Sequence, residues 1–178
     1  VGDTVSVLFT TSENLIDAAA TISGQNAIIT GLDGNQFIAS YVMVEGDSEG
    51  AIEFEISFID TQGNPLTGTD STTDASQVVF DKTGPTLDPV TISSDNLCSS
   101  GSIAMAENIV TINFTSLEPL LSTFAIVMND TVSVIDEGSD SYRIDYLLTS
   151  EDAEGDVSFL IQVTDLSGNI SDDIITTT

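Results

Sequence analysis

The stretch Ala51-Ile-Glu-Phe-Glu-Ile-Ser-Phe-Ile-Asp60-Thr-Gln-Gly-Asn64 decides the fold. Ile52, Phe54, Ile56 and Phe58 alternate with Glu53, Glu55 and Ser57, the two-residue period of a strand with one buried face. The run closes on Asp-x-x-Gly-Asn, where the Asp and Asn side chains can bond nearby backbone and the Gly accepts a positive φ. The same pattern returns 105 positions later as Val157, Phe159, Ile161 and Val163, closing on Asp165, Gly168 and Asn169.

Working outward, the 105-residue offset holds over most of the chain. Val5, Val7 and Phe9 are answered by Val110, Ile112 and Phe114, and Glu13 by Glu118. Phe37, Ala39, Tyr41 and Met43 are answered by Tyr142, Ile144, Tyr146 and Leu148. Asp47, Glu49 and Gly50 are answered by Asp152, Glu154 and Gly155. The offset dips by one where Ile126 answers Ile22, as an insertion in a turn would produce. Short alternating runs with turn signals about every ten residues point to a sandwich. Further strands are expected at 18–23, 27–30, 78–80 and 90–92. The stretch 67–76, rich in Thr, Ser and Asp, reads as loop, and 14–20 is the one segment with weak helical spacing. The second face of the strand after Gly34, with Ile38, Val42 and Val44, is apolar enough to suggest that it too is covered.

Asp81-Lys-Thr-Gly-Pro85 reads as the joint, because Pro85 and Pro89 bracket a segment that cannot be helical or centrally paired throughout. The expectation is therefore an all-β chain of two tandem β-sandwich domains, 1–84 and 85–178. Residues 86–106 have no counterpart before Val1, and 77–83 have none after Thr178. The first copy is thus expected to lack its opening strand and the second its closing strand. A window cut from a longer array accounts for this. The sharper alternative is strand exchange between neighbouring subunits, since an open edge invites pairing.

Composition narrows the partners. Asp and Glu total 29 against Lys82 and Arg143, and the net charge is −27. That charge repels nucleic-acid phosphates and anionic membranes and favours cations, calcium above all. The alternative is an acidic coat that keeps an extracellular protein soluble. There is no histidine, which removes histidine base catalysis and histidine–cysteine zinc sites. The one cysteine, Cys98, reads as a small buried thiol, with pairing to another chain as the alternative. No apolar run approaches the roughly 18 residues of a membrane span. With no initiator Met and no leader, the chain reads as a mature or excised segment.

Together, the Gly2-to-Glu13 opening, Tyr41 to Gly50, the Asp60-x-x-Gly-Asn64 turn and the Asp81-Lys-Thr-Gly-Pro85 joint resemble a known family. They are similar to the immunoglobulin-like repeats of large, mostly bacterial, surface adhesins and extracellular fibre proteins. The resemblance covers nearly the whole chain. It implies two immunoglobulin-like sandwiches, a cell-surface or secreted location, and neighbouring copies of the same unit as partners. Leu117 stands before Glu118 where the first copy has Ser12.

Three functional readings follow. The first is a structural repeat of a filament or adhesin stalk. The second is a ligand-binding adhesin module that recognises a surface glycan or protein. The third is a non-catalytic accessory domain of a secreted enzyme. Catalysis is not expected: with 29 acids any carboxylate pair is uninformative, no Gly-rich phosphate loop leads into a helix, and no serine sits in a nucleophile elbow. For calcium at the interdomain joint, Asp47, Glu49 and Asp81 of the first copy and Glu118, Asp165 and Asn169 of the second are the candidate oxygen ligands. Alternatively, Asp60, Asp165, Glu13 and Glu118 serve their own turns by accepting backbone N–H bonds. Asn113, Asn129 and Asn169 fit the glycosylation pattern, and Asn113 should face outward between Ile112 and Phe114. Sugar stacking finds little support, with no Trp and most Phe and Tyr on inward faces.

Overall fold

A computed structural model describes residues 1–98 and 100–176. The chain forms two compact units, Val1–Lys82 and Thr83–Thr178, which divide within the Asp81–Pro85 segment. Among the described residues every element is a strand, and every pairing between strands is antiparallel.

Unit 1 contains β1 (Thr4–Thr10), β2 (Leu15–Ile22), β3 (Gln25–Asn26), β4 (Ile28–Gly31), β5 (Gln36–Val42), β6 (Gly50–Ala51), β7 (Phe54–Asp60), β8 (Pro65–Thr69) and β9 (Val79–Phe80). They assemble as β1-β5-β4, β3-β2-β7-β8 and the short pair β6-β9. Unit 2 contains β10 (Leu87–Ser94), β11 (Ile109–Ser116), β12 (Leu120–Val127), β13 (Asp130–Val132), β14 (Ile135–Gly138), β15 (Ser141–Leu147) and β16 (Phe159–Asp165). Its sheets are β10-β11-β15-β14 and β13-β12-β16. The second sheet is extended by bridges from Ile174 to Ile161 and from Ile170 to Thr164. In chain order, these are the sheets A-B-E-D and C′-C-F-G of an immunoglobulin-type sandwich.

The repeat is visible in the packing. Phe9 stacks on Phe37 with ring centroids 5.4 Å apart, and their counterparts Phe114 and Tyr142 stack at 5.2 Å. The core of unit 2 draws Val110, Ile112, Phe114 and Ile144 from one sheet and Ala125, Val127, Ile161 and Val163 from the other. Alternation puts those side chains on facing sheets, and burying them is the main favourable term.

The two cores differ. Val110, Ile112 and Phe114 are buried, whereas Val5, Val7 and Phe9 are half-buried. β11 lies between β10 and β15, so Val90 and Leu87 of β10 close over the sandwich edge. Among the described residues β1 pairs with β5 alone. At the opposite end, β9 pairs with β6 in unit 1, while residues 155–156, the counterparts of β6, have no paired strand among the described residues.

Several local expectations are corrected. The helical candidate 14–20 is strand β2: Ala18, Ala20 and Ile22 face inward opposite β7, and sheet pairing overrides the helix preference of the three alanines. The stretch read as loop from Thr67 begins inside strand β8, whose Pro65 lies on a sheet edge where a missing N–H is tolerated. Cys98 is exposed rather than buried, held in a turn where its N–H donates to Asn96 Oδ1 at 2.9 Å. Val42 and Val44 are also exposed, so the second face of β5 is not covered there. The joint's Gly84 has a different constraint: a Cβ there would lie 2.3 Å from the carbonyl oxygen of Ile170, so only Gly fits.

Among the described residues the buried cluster of unit 1 consists of Ala20, Ile22, Ala39 and Ile56, far smaller than that of unit 2. Each additional buried aliphatic side chain contributes about 1.5–3 kcal/mol. Calorimetry of the full chain should therefore resolve two transitions, unit 1 melting first. Ile56→Ala should lower only the first and Ile112→Ala only the second, each by roughly 2–5 kcal/mol. A single transition moved by both substitutions would refute independent units.

Candidate functional site

The Asp-x-x-Gly-Asn turn is built the same way twice. Asp60 Oδ1 accepts the N–H groups of Gln62 and Asn64, each at 2.8 Å, and Asp60 Oδ2 accepts from Asn64 Nδ2 at 2.7 Å. In unit 2, Asp165 Oδ1 accepts from the Asn169 N–H and Oδ2 from Asn169 Nδ2, both at 2.9 Å. Gly63 and Gly168 sit at φ of 86° and 90°, where any side chain would be strained. Each turn fixes the register of the hairpin that follows it, which is a structural use of the motif.

Electrostatics follow this geometry. The Asn64 side chain, then its backbone N–H, hold the Asp60 carboxyl below the usual carboxylate range. Burial pushes Asp165 up, but the hydrogen bonds from Asn169, Ser167 and Gly168 outweigh it and the net displacement is downward.

A second repeated device lies in the acidic turns. Asp47 is buried and accepts from the Val44 N–H at 2.8 Å and from the Tyr41 hydroxyl at 3.2 Å. Asp152 does the same for the Thr149 N–H at 2.7 Å and the Tyr146 hydroxyl at 2.9 Å. The Thr149 N–H, then the Tyr146 hydroxyl, lower the Asp152 carboxyl, while burial, then hydrogen bonds to Asp152 and Asp130, raise the Tyr146 phenol. Glu49 Oε1 accepts the Lys82 N–H at 2.9 Å, and Lys82 Nζ caps the carbonyls of Glu45 and Asp47. Asp47 and Glu49 therefore tie the last residues of unit 1 to its own acidic turn. The tyrosine-to-aspartate tie was invisible at the sequence level as a bond, although the repeated spacing of Tyr41 with Asp47 and Tyr146 with Asp152 was there to find.

Of the candidate calcium ligands, the fold of unit 2 brings Glu118 and Asp165 together, with carboxylate oxygens within 4.8 Å of each other. That spacing suits two oxygens on one calcium, whose Ca–O distances are about 2.3–2.6 Å. Glu118 is placed by Ser116, a buried hydroxyl that donates to the Glu118 carbonyl at 2.6 Å, as Thr11 does to Glu13 at 2.7 Å. Asn169 spends its side-chain amide on Asp165. Asp81 is half-buried and lies just before the division between the units.

Asn113 and Asn129 are exposed, Asn113 on the outer face of β11 between Thr91 and Arg143 of the flanking strands. Asn169, the third, has its Nδ2 engaged with Asp165 Oδ2 at 2.9 Å. Phe124 on β12 is exposed, an exception to the inward placement of the aromatics.

No family model matches this chain, and no curated protein matches it.

Because both turn aspartates have depressed folded-state values, their contribution is present above the ordinary carboxylate pKa and is lost as pH falls through the folded value. Denaturant midpoints should therefore drop on the acid side of about pH 4. Asp165→Ala should cost on the order of 1–2 kcal/mol at neutral pH, by leaving the half-buried Asn169 donors without their acceptor, and should flatten that acid slope. An unchanged slope would remove Asp165 from the account.

Proposed function

We propose that this chain is a non-catalytic pair of structural repeats from an extracellular filament or cell-surface adhesin stalk, with neighbouring copies of the same unit as its partners. The observation that supports this reading is the duplication itself. The two units share the strand runs β1-β5-β4 with β11-β15-β14 and β3-β2-β7 with β13-β12-β16, the stacked aromatic pair, the Asp-x-x-Gly-Asn turn and the tyrosine-to-aspartate tie. What repeats is hairpin-locking hardware. A repeat with this hardware spans distance and resists unfolding, and completion by strand exchange between subunits belongs to the same reading.

Calcium is the cation this reading assigns to the joint. Glu118 and Asp165 supply hard oxygen donors, to which the sequence adds Asp81 on the joining segment. Its role would be to neutralise crowded carboxylates in a chain of net charge −27.

Pulled from its two ends between marker domains, the chain should give two separate unfolding events. One shared event at low force would count against a mechanical role. Calcium in large excess should raise the melting midpoint of the second transition by the equivalent of about 1–3 kcal/mol. Chelator and Glu118→Gln should each abolish that rise. Equal midpoints with calcium and with chelator would eliminate the metal.

A further inference from the structure

We propose that the outer face of the sheet β1-β5-β4 docks against the outer face of the sheet β13-β12-β16 of a second copy of this chain. The inference rests on the repeat reading above, in which neighbouring copies are the partners, and adds the surfaces by which they meet side by side.

The two units repeat their inner faces but not their outer ones. In the first sheet of unit 1 the outward side chains include Leu8, Ile28, Ile38 and Val42, with Ser6 and Ser40 between them. β1, β4 and β5 together hold no charged residue, in a chain of 29 acids. At the same register unit 2 has Asn113 for Leu8, Arg143 for Ile38 and Asp145 for Ser40, and Arg143 bonds both Glu137 and Asp145. The second sheets differ in the opposite sense. Unit 2 turns Phe124, Ile126 and Leu160 outward, with Ser, Thr and Gln at the outward positions around them. Unit 1 has Ala19, Thr21 and Glu55 in those places, and Asp17 beside them. Each unit thus carries one charged outer face and one neutral one, and the neutral sheet differs between them. Leu8, Ile28, Val42 and Phe124 are exposed. Ile38 lies mid-sheet between Leu8 and Thr30, so its access to water is set by what covers the face and not by what flanks the sheet's edge.

Charge selects the partner. Two chains of net charge −27 repel wherever their surfaces carry acids, and approach most easily where carboxylates are absent. A basic partner would be held by the acidic surface and would gain nothing from a neutral one. A like-charged partner needs neutral apolar faces, and a second copy brings the complement of each. Phe124 supplies the large aromatic anchor that the aliphatic face of unit 1 lacks. The hydroxyls at the centre of that aliphatic face are already paired, Ser6 Oγ with Ser40 Oγ at 2.9 Å, so covering them orphans neither. Because the two faces differ, the contact passes from copy to copy instead of closing on a symmetric dimer. At about 3.3 Å per residue and about 4.8 Å between strands, three short strands offer roughly 300 Å². A stable complex uses roughly 800 Å² per partner, so single chains should associate weakly and tandem arrays of them firmly.

Sedimentation equilibrium of the full chain tests this. The weight-average mass should climb above that of the monomer as the concentration approaches about 1 mM. It should climb further when salt is raised from about 0.05 M to about 0.5 M, which screens the repulsion between copies. Two variants borrow the other unit's residues at the same register: Ile38→Arg with Ser40→Asp in unit 1, and Phe124→Ala with Leu160→Glu in unit 2. Each alone should stay a monomer with both melting transitions in place. Mixed in equal amounts they should form a one-to-one pair and nothing larger, since each retains the face that the other has lost. A native chain that stays monomeric at the highest concentration and salt would overturn the proposal. Association that weakens as salt rises would do the same, as would either variant associating like the native chain or a mixture that remains monomeric. None of these failures touches the two unfolding events or the calcium response, so the filament reading stands or falls separately.

Discussion

Each unit depends on one constraint: apolar side chains at every second position must be removed from water on both faces of a two-layer stack. Ile112 and Ile144 from one sheet of unit 2 meet Ala125 and Ile161 from the other, and all four are fully buried. A slip of one residue in any of these strands would turn its apolar row outward. The repeated turns exist to prevent that slip. Asp60 and Asp165 lock the hairpin leaving β7 and β16, and Tyr41 and Tyr146 pin the acidic turn that precedes each.

The same constraint explains the difference between the units. A sandwich closes only when every core-bearing strand is flanked. β11 is flanked, and its inward residues are buried. β1 is not, and the same three positions remain half-wet. Unit 1 therefore holds its shape with a small buried centre, aided by the Phe9–Phe37 stack and by Phe80 from β9. Charge plays a different part. The acids are mostly solvated, and the few that are ordered are used as acceptors in turns, where a carboxylate satisfies two or three N–H groups at once.

Much of this was legible in the chain. The Ile52–Phe58 alternation, the 105-residue offset and the Asp-x-x-Gly-Asn closure give strand identity, duplication and hairpin position, because period and turn chemistry are local properties. They found a strand at 18–23 but left 14–20 open to a helix, since a run of three alanines is a helix former until a neighbouring strand claims it. They missed the start of β8 and misplaced Cys98, since Thr-rich edges and loop thiols carry no period to read. Asp47 looked like a cation ligand by its acidity, yet it lies buried against Tyr41 and the Val44 amide.

The sequence by itself determined the all-β class, the repeat and the faces of its strands, because alternation is written into neighbouring residues. Tertiary structure alone decided which strands became neighbours, and with that which carboxylates met, as Glu118 and Asp165 do. Those outcomes depend on pairings between residues far apart in the chain, and no local pattern encodes a partner that has yet to arrive.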